Sequence, residues 1–155
     1  MIKQGDKPDS AVLAELAVQL WDGRSISELK HEFEQLAESA DAACFIKYFD
    51  NKPVGFAQCQ LRRDYVEGTS TSPVGYLEGI FVLKEYRNKG YAKELLSHCQ
   101  KWAAYKNCTE FASDCEIDNE VGFQFHLAMG FEVANRIICF RKKIIEKQIA
   151  SQINI

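Results

Sequence analysis

The segment Gly79-Ile80-Phe81-Val82-Leu83-Lys84-Glu85-Tyr86-Arg87-Asn88-Lys89-Gly90-Tyr91-Ala92 constrains this chain more than any other. An apolar strand pattern there runs into an Arg-x-x-Gly-x-Ala turn that opens an amphipathic helix. Gly90 can take a positive φ or a close approach, and the unpaired N–H groups of a helix start point at an anion, a pyrophosphate above all. Beyond the turn, Ala92, Leu95, Leu96, Cys99, Trp102 and Ala103 recur at helical spacing and make one buried face. The turn lacks the Gly-x-Gly-x-x-Gly spacing of a dinucleotide fingerprint and the Gly-Lys-Ser/Thr of a Walker loop.

Length bounds what surrounds this unit. With 155 residues, 46% of them hydrophobic, the chain has material for one core and one domain. A net charge of −3 argues against a nucleic-acid surface, for which a basic stripe is expected. No apolar run approaches a bilayer span, and Met1-Ile2-Lys3-Gln4-Gly5-Asp6 lacks the apolar stretch of a signal peptide, so the expectation is a soluble, cytoplasmic protein without a membrane partner. Cys44, Cys59, Cys99, Cys108, Cys115 and Cys139 form no Cys-x-x-Cys pair and have no His at ligand spacing; no metal is expected, and the thiols read as reduced and mostly buried.

Around the central unit, Ser10 precedes a helical pattern that reaches Trp21, and Ser25-Ile26-Ser27-Glu28 has the spacing of a capping box before a second helix. Ala43 to Phe49 and Val54 to Arg62 read as a hairpin joined by Asp50-Asn51-Lys52-Pro53, with Pro53 in the turn rather than the ladder. A polar loop, Asp64 to Pro73, leads to a third strand over Gly75 to Leu83. Glu110 to Glu116 reads as a strand, Asn119 to Met129 as a helix ended by Gly130, and Ile137 to Lys142 as a last strand. His31 and His98 fall on polar helical faces.

The strand, Arg-x-x-Gly-x-Ala turn and helix, with Gly130-Phe131 after a later helix, resemble the GNAT superfamily of N-acetyltransferases. Within it, Gln19-Leu20-Trp21, Arg62-Arg63-Asp64-Tyr65-Val66-Glu67-Gly68, Ser72-Pro73-Val74-Gly75-Tyr76-Leu77-Glu78-Gly79-Ile80 and Glu110-Phe111-Ala112-Ser113-Asp114 are similar to the aminoglycoside 6′-N-acetyltransferases. The resemblance implies an α/β fold, α+β in detail: a mixed, mostly antiparallel sheet, splayed between its fourth and fifth strands and flanked by helices. One domain over residues 1–145 would be followed by a tail at 146–155.

It also implies acetyl-CoA as co-substrate, an aminoglycoside as acceptor, antibiotic resistance as outcome and a homodimer as assembly. The implied cofactor contacts are Arg87, Asn88, Lys89, Gly90, Tyr91, Ala92 and Lys93 at the pyrophosphate, Ile80, Phe81 and Val82 along the pantetheine arm, and Asn119. Asn119 equally suits the cap of the helix it precedes.

A polycationic sugar calls for carboxylates and aromatic faces. The family's pocket positions fall on Trp21, Tyr65, Glu78 and Asp114, and its further acidic position is Asn135 here, which keeps a hydrogen bond but no charge. Trp21 also suits the core and Tyr65 a loop anchor. Glu78 is the candidate to take the ammonium proton, directly or through water, or else only to bind; Asp114 shares that candidacy. Where the family often has a Tyr as acid toward the leaving thiolate, this chain has His126, which is either that acid or a structural histidine. Gly79 is expected to permit a bulge that opens the sheet. The alternatives are an acetyltransferase for another polyamine or a protein amine, and a CoA-binding sensor without turnover.

Overall fold

The computed structural model describes residues 1–145; the expected tail, 146–155, lies outside the described residues. One five-stranded sheet, in the order β1 (Ile2–Gln4), β2 (Ala42–Phe49), β3 (Lys52–Arg62), β4 (Val74–Val82) and β5 (Phe111–Ser113), forms the middle layer. The first four strands pair antiparallel, and β5 joins β4 parallel. Helices α1 (Ser10–Ala17) and α2 (Ile26–Ala37) cover one face, with α3 (Tyr91–Tyr105) on the other and α4 (Glu120–Ala128) following β5.

The alternation of β2 explains why both faces are packed. Cys44 and Ile46 point to α1 and α2 beside Leu13, Leu16, Leu29, Phe33 and Phe56, while Ala43 and Phe45 join Ala57, Cys59, Leu95, Leu96 and Cys99 under α3. The capping box at Ser25 forms as its spacing predicts, Glu28 N–H donating to Ser25 Oγ at 3.1 Å. Of the six cysteines only Cys44, Cys59 and Cys99 are buried; Cys108 and Cys115 are half-buried and Cys139 is exposed.

Four details depart from the sequence reading. β1 is an added strand, too short and too polar to announce itself, held by pairing of Ile2 to Lys47 and Gln4 to Phe45. Pro53 stands in the ladder opposite Tyr48, beside the register shift at Lys47/Tyr48, and the hairpin turns instead at Asp50 and Asn51, whose φ angles are +48° and +61°. The expected strand over Glu110 to Glu116 shrinks to Phe111–Ser113. The last strand expected over Ile137 to Lys142 does not form: residues 131–145 are irregular, with Ile138 76% and Phe140 91% exposed. A strand needs a neighbour for its ladder, and within the described residues this segment has none.

The sheet is open beyond Leu77. β5 pairs with β4 only from Gly75↔Phe111 to Leu77↔Ser113, so β4 continues from Glu78 to Val82 without a neighbour on that side. Across from β3, Gly79 faces Gln58 and Leu77 faces Cys59, which leaves Glu78 as the extra residue of the expected bulge.

Candidate active site

The helix start bears out its local geometry. Gly90 has φ +82° with open space where a Cβ would stand, and it gives α3 no side-chain cap, so the first N–H groups of the helix have no side-chain acceptor at that position. Asn88 is also left-handed at φ +61°, and Asn88, Lys89, Gly90 and Lys93 are exposed, with Tyr91 and Ala92 half-buried. Arg87 folds back, its Nε donating to the Val82 carbonyl at 2.8 Å, which ties the loop to the end of β4. Ile80, Phe81 and Val82 pair with Ala57, Phe56 and Gly55 on β3 and offer their other backbone edge to the gap.

Glu78, at the mouth of the gap, does not stand alone. Arg62 donates from Nε to one carboxylate oxygen at 3.0 Å and from a terminal nitrogen to the other at 2.8 Å, a bidentate pair. The same guanidinium lies 3.4 Å above the centre of the Tyr76 ring, and the Tyr76 hydroxyl donates to Asp114. Burial and that bond to Asp114 hold the Tyr76 hydroxyl well above its usual range, and the Glu78 carboxylate pushes Arg62 further up. The network runs Glu78, Arg62, Tyr76, Asp114 and joins the end of β3, the middle of β4 and the residue that follows β5. Arg62 and Tyr76 escaped the sequence reading, although Gln58, Gln60 and Arg62 on β3 and Tyr76 and Glu78 on β4 repeat at the period of two that marks one face.

Trp21 follows α1 through a turn in which its N–H bonds the Ala17 carbonyl at 2.9 Å. It meets Phe56 edge-on, with 5.9 Å between ring centres, and lies directly over Gly79, where a Cβ would come within 2.6 Å of its Cζ2. Trp21 is therefore half-buried, packed on the core under α1 and α2 and over the residue that follows Glu78. Tyr65 is 81% exposed, and its hydroxyl donates to Glu67 at 2.8 Å; Asn135 donates to the other oxygen of Glu67 at 3.0 Å. Thus the two residues expected at the substrate meet on a carboxylate that the sequence reading left unassigned. Glu110 holds the loop base, accepting from the N–H groups of Ser70 at 2.9 Å and Thr71 at 2.8 Å.

His126 projects from α4 toward the end of β5. Its Nδ1 lies 2.6 Å from the Gly122 carbonyl and its Nε2 2.7 Å from Ser113 Oγ, a residue also unassigned from sequence. Asn119 uses its side-chain oxygen to accept from Gly122 N–H at 2.9 Å, the capping alternative. His98 is half-buried against Phe45 rather than on a free polar face. A cleft of about 550 Å³ flanks α3 between Lys47, Lys93, Glu94, His98 and Lys101; it meets the turn before α3 only at Gly90, and Glu78 is not among its lining residues. Among the described residues no cluster of His, Cys, Asp or Glu has metal-binding geometry, and no helix is long and apolar enough to cross a membrane.

A sheet splayed beyond a bulged strand, with an uncapped helix start beside the gap, defines an acyl-CoA-type transferase architecture. Residues 12–131 match the acetyltransferase (GNAT) family, and the chain belongs to that family. It is similar to an aminoglycoside N(6′)-acetyltransferase type 1 of Salmonella typhimurium, with 40% identity over 128 residues covering 83% of this chain and 88% of the relative. It is similar also to one of Acinetobacter haemolyticus, with 38% identity over 130 residues covering 84% and 89%. Among solved structures, AAC(6′)-Iy in complex with the bisubstrate analogue CoA-S-monomethyl-acetylneamine superposes with a TM-score of 0.89 at 38% identity, over 93% of this chain and 98% of that one.

Proposed function

We propose that this protein transfers the acetyl group of acetyl-CoA to the 6′-amino group of aminoglycosides and so confers resistance, by removing a cationic centre that these drugs need to bind RNA. The observation that carries the proposal is the bulge at Glu78 and Gly79, which puts an acidic, aromatic-rimmed opening beside the free edge of β4 and the uncapped start of α3. In that reading the N–H groups from Asn88 to Lys93 hold the pyrophosphate, with Arg87, Lys89 and Lys93 adding charge. Ile80 to Val82 pair with the pantetheine arm as an added strand, and one of their N–H groups polarises the thioester carbonyl. Asn119 reaches the cofactor only with its side-chain nitrogen, because its oxygen serves the cap.

Trp21, Tyr65, Glu78, Asp114 and Asn135 hold the sugar, with Glu67 supplying the charge that Asn135 lacks. Glu78 has both oxygens on Arg62, so its first role is to bind and orient an ammonium through its remaining lone pairs. The enzyme is read as a single domain over 1–145 and as a homodimer, in which a second copy covers Ile137, Ile138 and Phe140; light scattering behind a sizing column tests the dimer, and a monomer at micromolar concentration overturns it. Six free cysteines fit a reducing cytoplasm. Thiol release from acetyl-CoA with kanamycin or tobramycin, against an analogue bearing a 6′-hydroxyl, tests the reaction. Activity confined to the 6′-amines is expected; equal rates overturn the regiochemistry, and no release overturns the function.

A further inference from the structure

The contacts of His126 fix its tautomer. A backbone carbonyl only accepts, so the 2.6 Å contact to the Gly122 oxygen puts a proton on Nδ1 and leaves Nε2 of the neutral ring as an acceptor. Ser113 Oγ, 2.7 Å from Nε2, must then donate to it; the Leu77 carbonyl, 3.5 Å from the same oxygen, is the poorer partner for the single hydroxyl proton. Phe125 and Phe131 flank the imidazole edge-on, at 5.5 and 5.1 Å between ring centres, and hold its plane. Ser113 ends the paired stretch of β5, opposite Leu77 and one residue short of Glu78, so its two unused lone pairs lie at the apex where β4 and β5 part.

We propose that Ser113 and His126 form a proton shuttle that serves both halves of acetyl transfer, a proposal that rests on the functional reading above. The substrate ammonium loses one proton to solvent. The amine lone pair then forms the N–C bond at the thioester carbonyl, the C–S bond breaks, and its electron pair leaves with sulfur. The surplus N–H of the adduct gives its proton to Ser113 Oγ as the hydroxyl's own proton passes to His126 Nε2. The imidazolium, held at Nδ1 by the Gly122 carbonyl, returns a proton through Ser113 to the CoA thiolate. The sum is one amide, one thiol and one proton released to water. Ser113 meets the reacting atoms, and His126 acts through it.

Positioned acid–base groups contribute about 10²- to 10⁴-fold, so Ser113→Ala and His126→Ala are each expected to lower kcat at least about tenfold with both KM values within about twofold. Ser113→Thr, which keeps the hydroxyl, should retain most of kcat, and added imidazole should raise the rate of His126→Ala but not of Ser113→Ala. Unchanged CoA binding by calorimetry separates these losses from misfolding. A Ser113→Ala enzyme at the wild-type kcat overturns the shuttle while leaving the aminoglycoside activity standing; failure of imidazole to rescue a folded His126→Ala also overturns it. An acetylated Ser113 peptide after incubation with acetyl-CoA alone would make the serine a nucleophile instead. A wild-type chain that binds CoA but releases no thiol with any aminoglycoside overturns the functional reading, and the shuttle falls with it.

Discussion

In the proposed function, the donor end and the acceptor end of the gap are built on different principles. At the donor end, the free edge of β4 and the start of α3 present backbone N–H groups, and side chains matter mainly in letting the backbone take its path, as Gly90 does at φ +82°. At the acceptor end, side chains from two strands, two loops and the irregular segment after α4 meet in pairs: Arg62 on Glu78, Tyr76 on Asp114, Tyr65 and Asn135 on Glu67. A backbone site binds what every substrate of the family shares. A side-chain site selects the amine, and it is the one in which a single substitution leaves a partner without its match.

Glu78→Gln tests that contrast most severely. It removes the acceptor charge and leaves the Arg62 guanidinium, 39% exposed, facing the substrate ammonium. Loss of one partner of a close charge pair costs about 2–5 kcal/mol, so kcat/KM for the aminoglycoside should fall about 100-fold, while acetyl-CoA affinity moves less than about twofold. Equal losses at both ligands would erase the division between the two ends. The converse substitution, Gly90→Val, places a β-branched residue at a left-handed φ costing about 1–2 kcal/mol; CoA affinity should weaken about tenfold by calorimetry, with the aminoglycoside KM nearly unchanged.

The same contrast explains what the sequence could show. The strand-to-helix turn was legible because Gly90 and the change from strand pattern to helical period are adjacent in the chain, and the bulge because Glu78 and Gly79 interrupt an apolar strand. Trp21 and Asp114 became candidates only through family resemblance. Arg62, Tyr76, Glu67 and Ser113 stayed hidden, since each gains its meaning from a partner far along the chain: Glu78 for Arg62, Asp114 for Tyr76, Asn135 for Glu67, His126 for Ser113. The strand expected at Ile137 to Lys142 has the composition of one, but propensity supplies no ladder partner, and pairing is what decides a strand.

Gly79 joins the two ends, so its substitution should be felt at both. An alanine Cβ would sit 2.6 Å from Trp21 Cζ2, forcing the indole off the strand and away from Glu78. Overpacking of this kind costs about 1–3 kcal/mol, visible as a lower Tm, and the aminoglycoside KM should rise about fivefold with a red-shifted tryptophan emission as Trp21 gains water. A shift in CoA affinity larger than that in the aminoglycoside KM would assign Gly79 to the donor end.

Glu110 gives the mildest handle, on the loop rather than the pocket. Its bonds from Thr71 and from the Ser70 N–H hold its carboxyl below the usual carboxylate range. A group whose folded pKa is depressed stabilises the fold above its unfolded value and loses that contribution as pH falls through the folded one. The loop carrying Tyr65 and Glu67 should therefore stay anchored at neutral pH and loosen only in acid, starting near the ordinary carboxylate value and finishing below it. Because these hydrogen bonds are exposed, the effect on global stability should be slight, and amide exchange of Ser70 and Thr71 is the measurement that resolves it. Glu110→Gln keeps an acceptor oxygen but no charge, so it should raise exchange at those two amides already at neutral pH and flatten its acid dependence. An acid dependence that survives the substitution would move the anchor to another group, Glu67 being the one that Tyr65 and Asn135 already share.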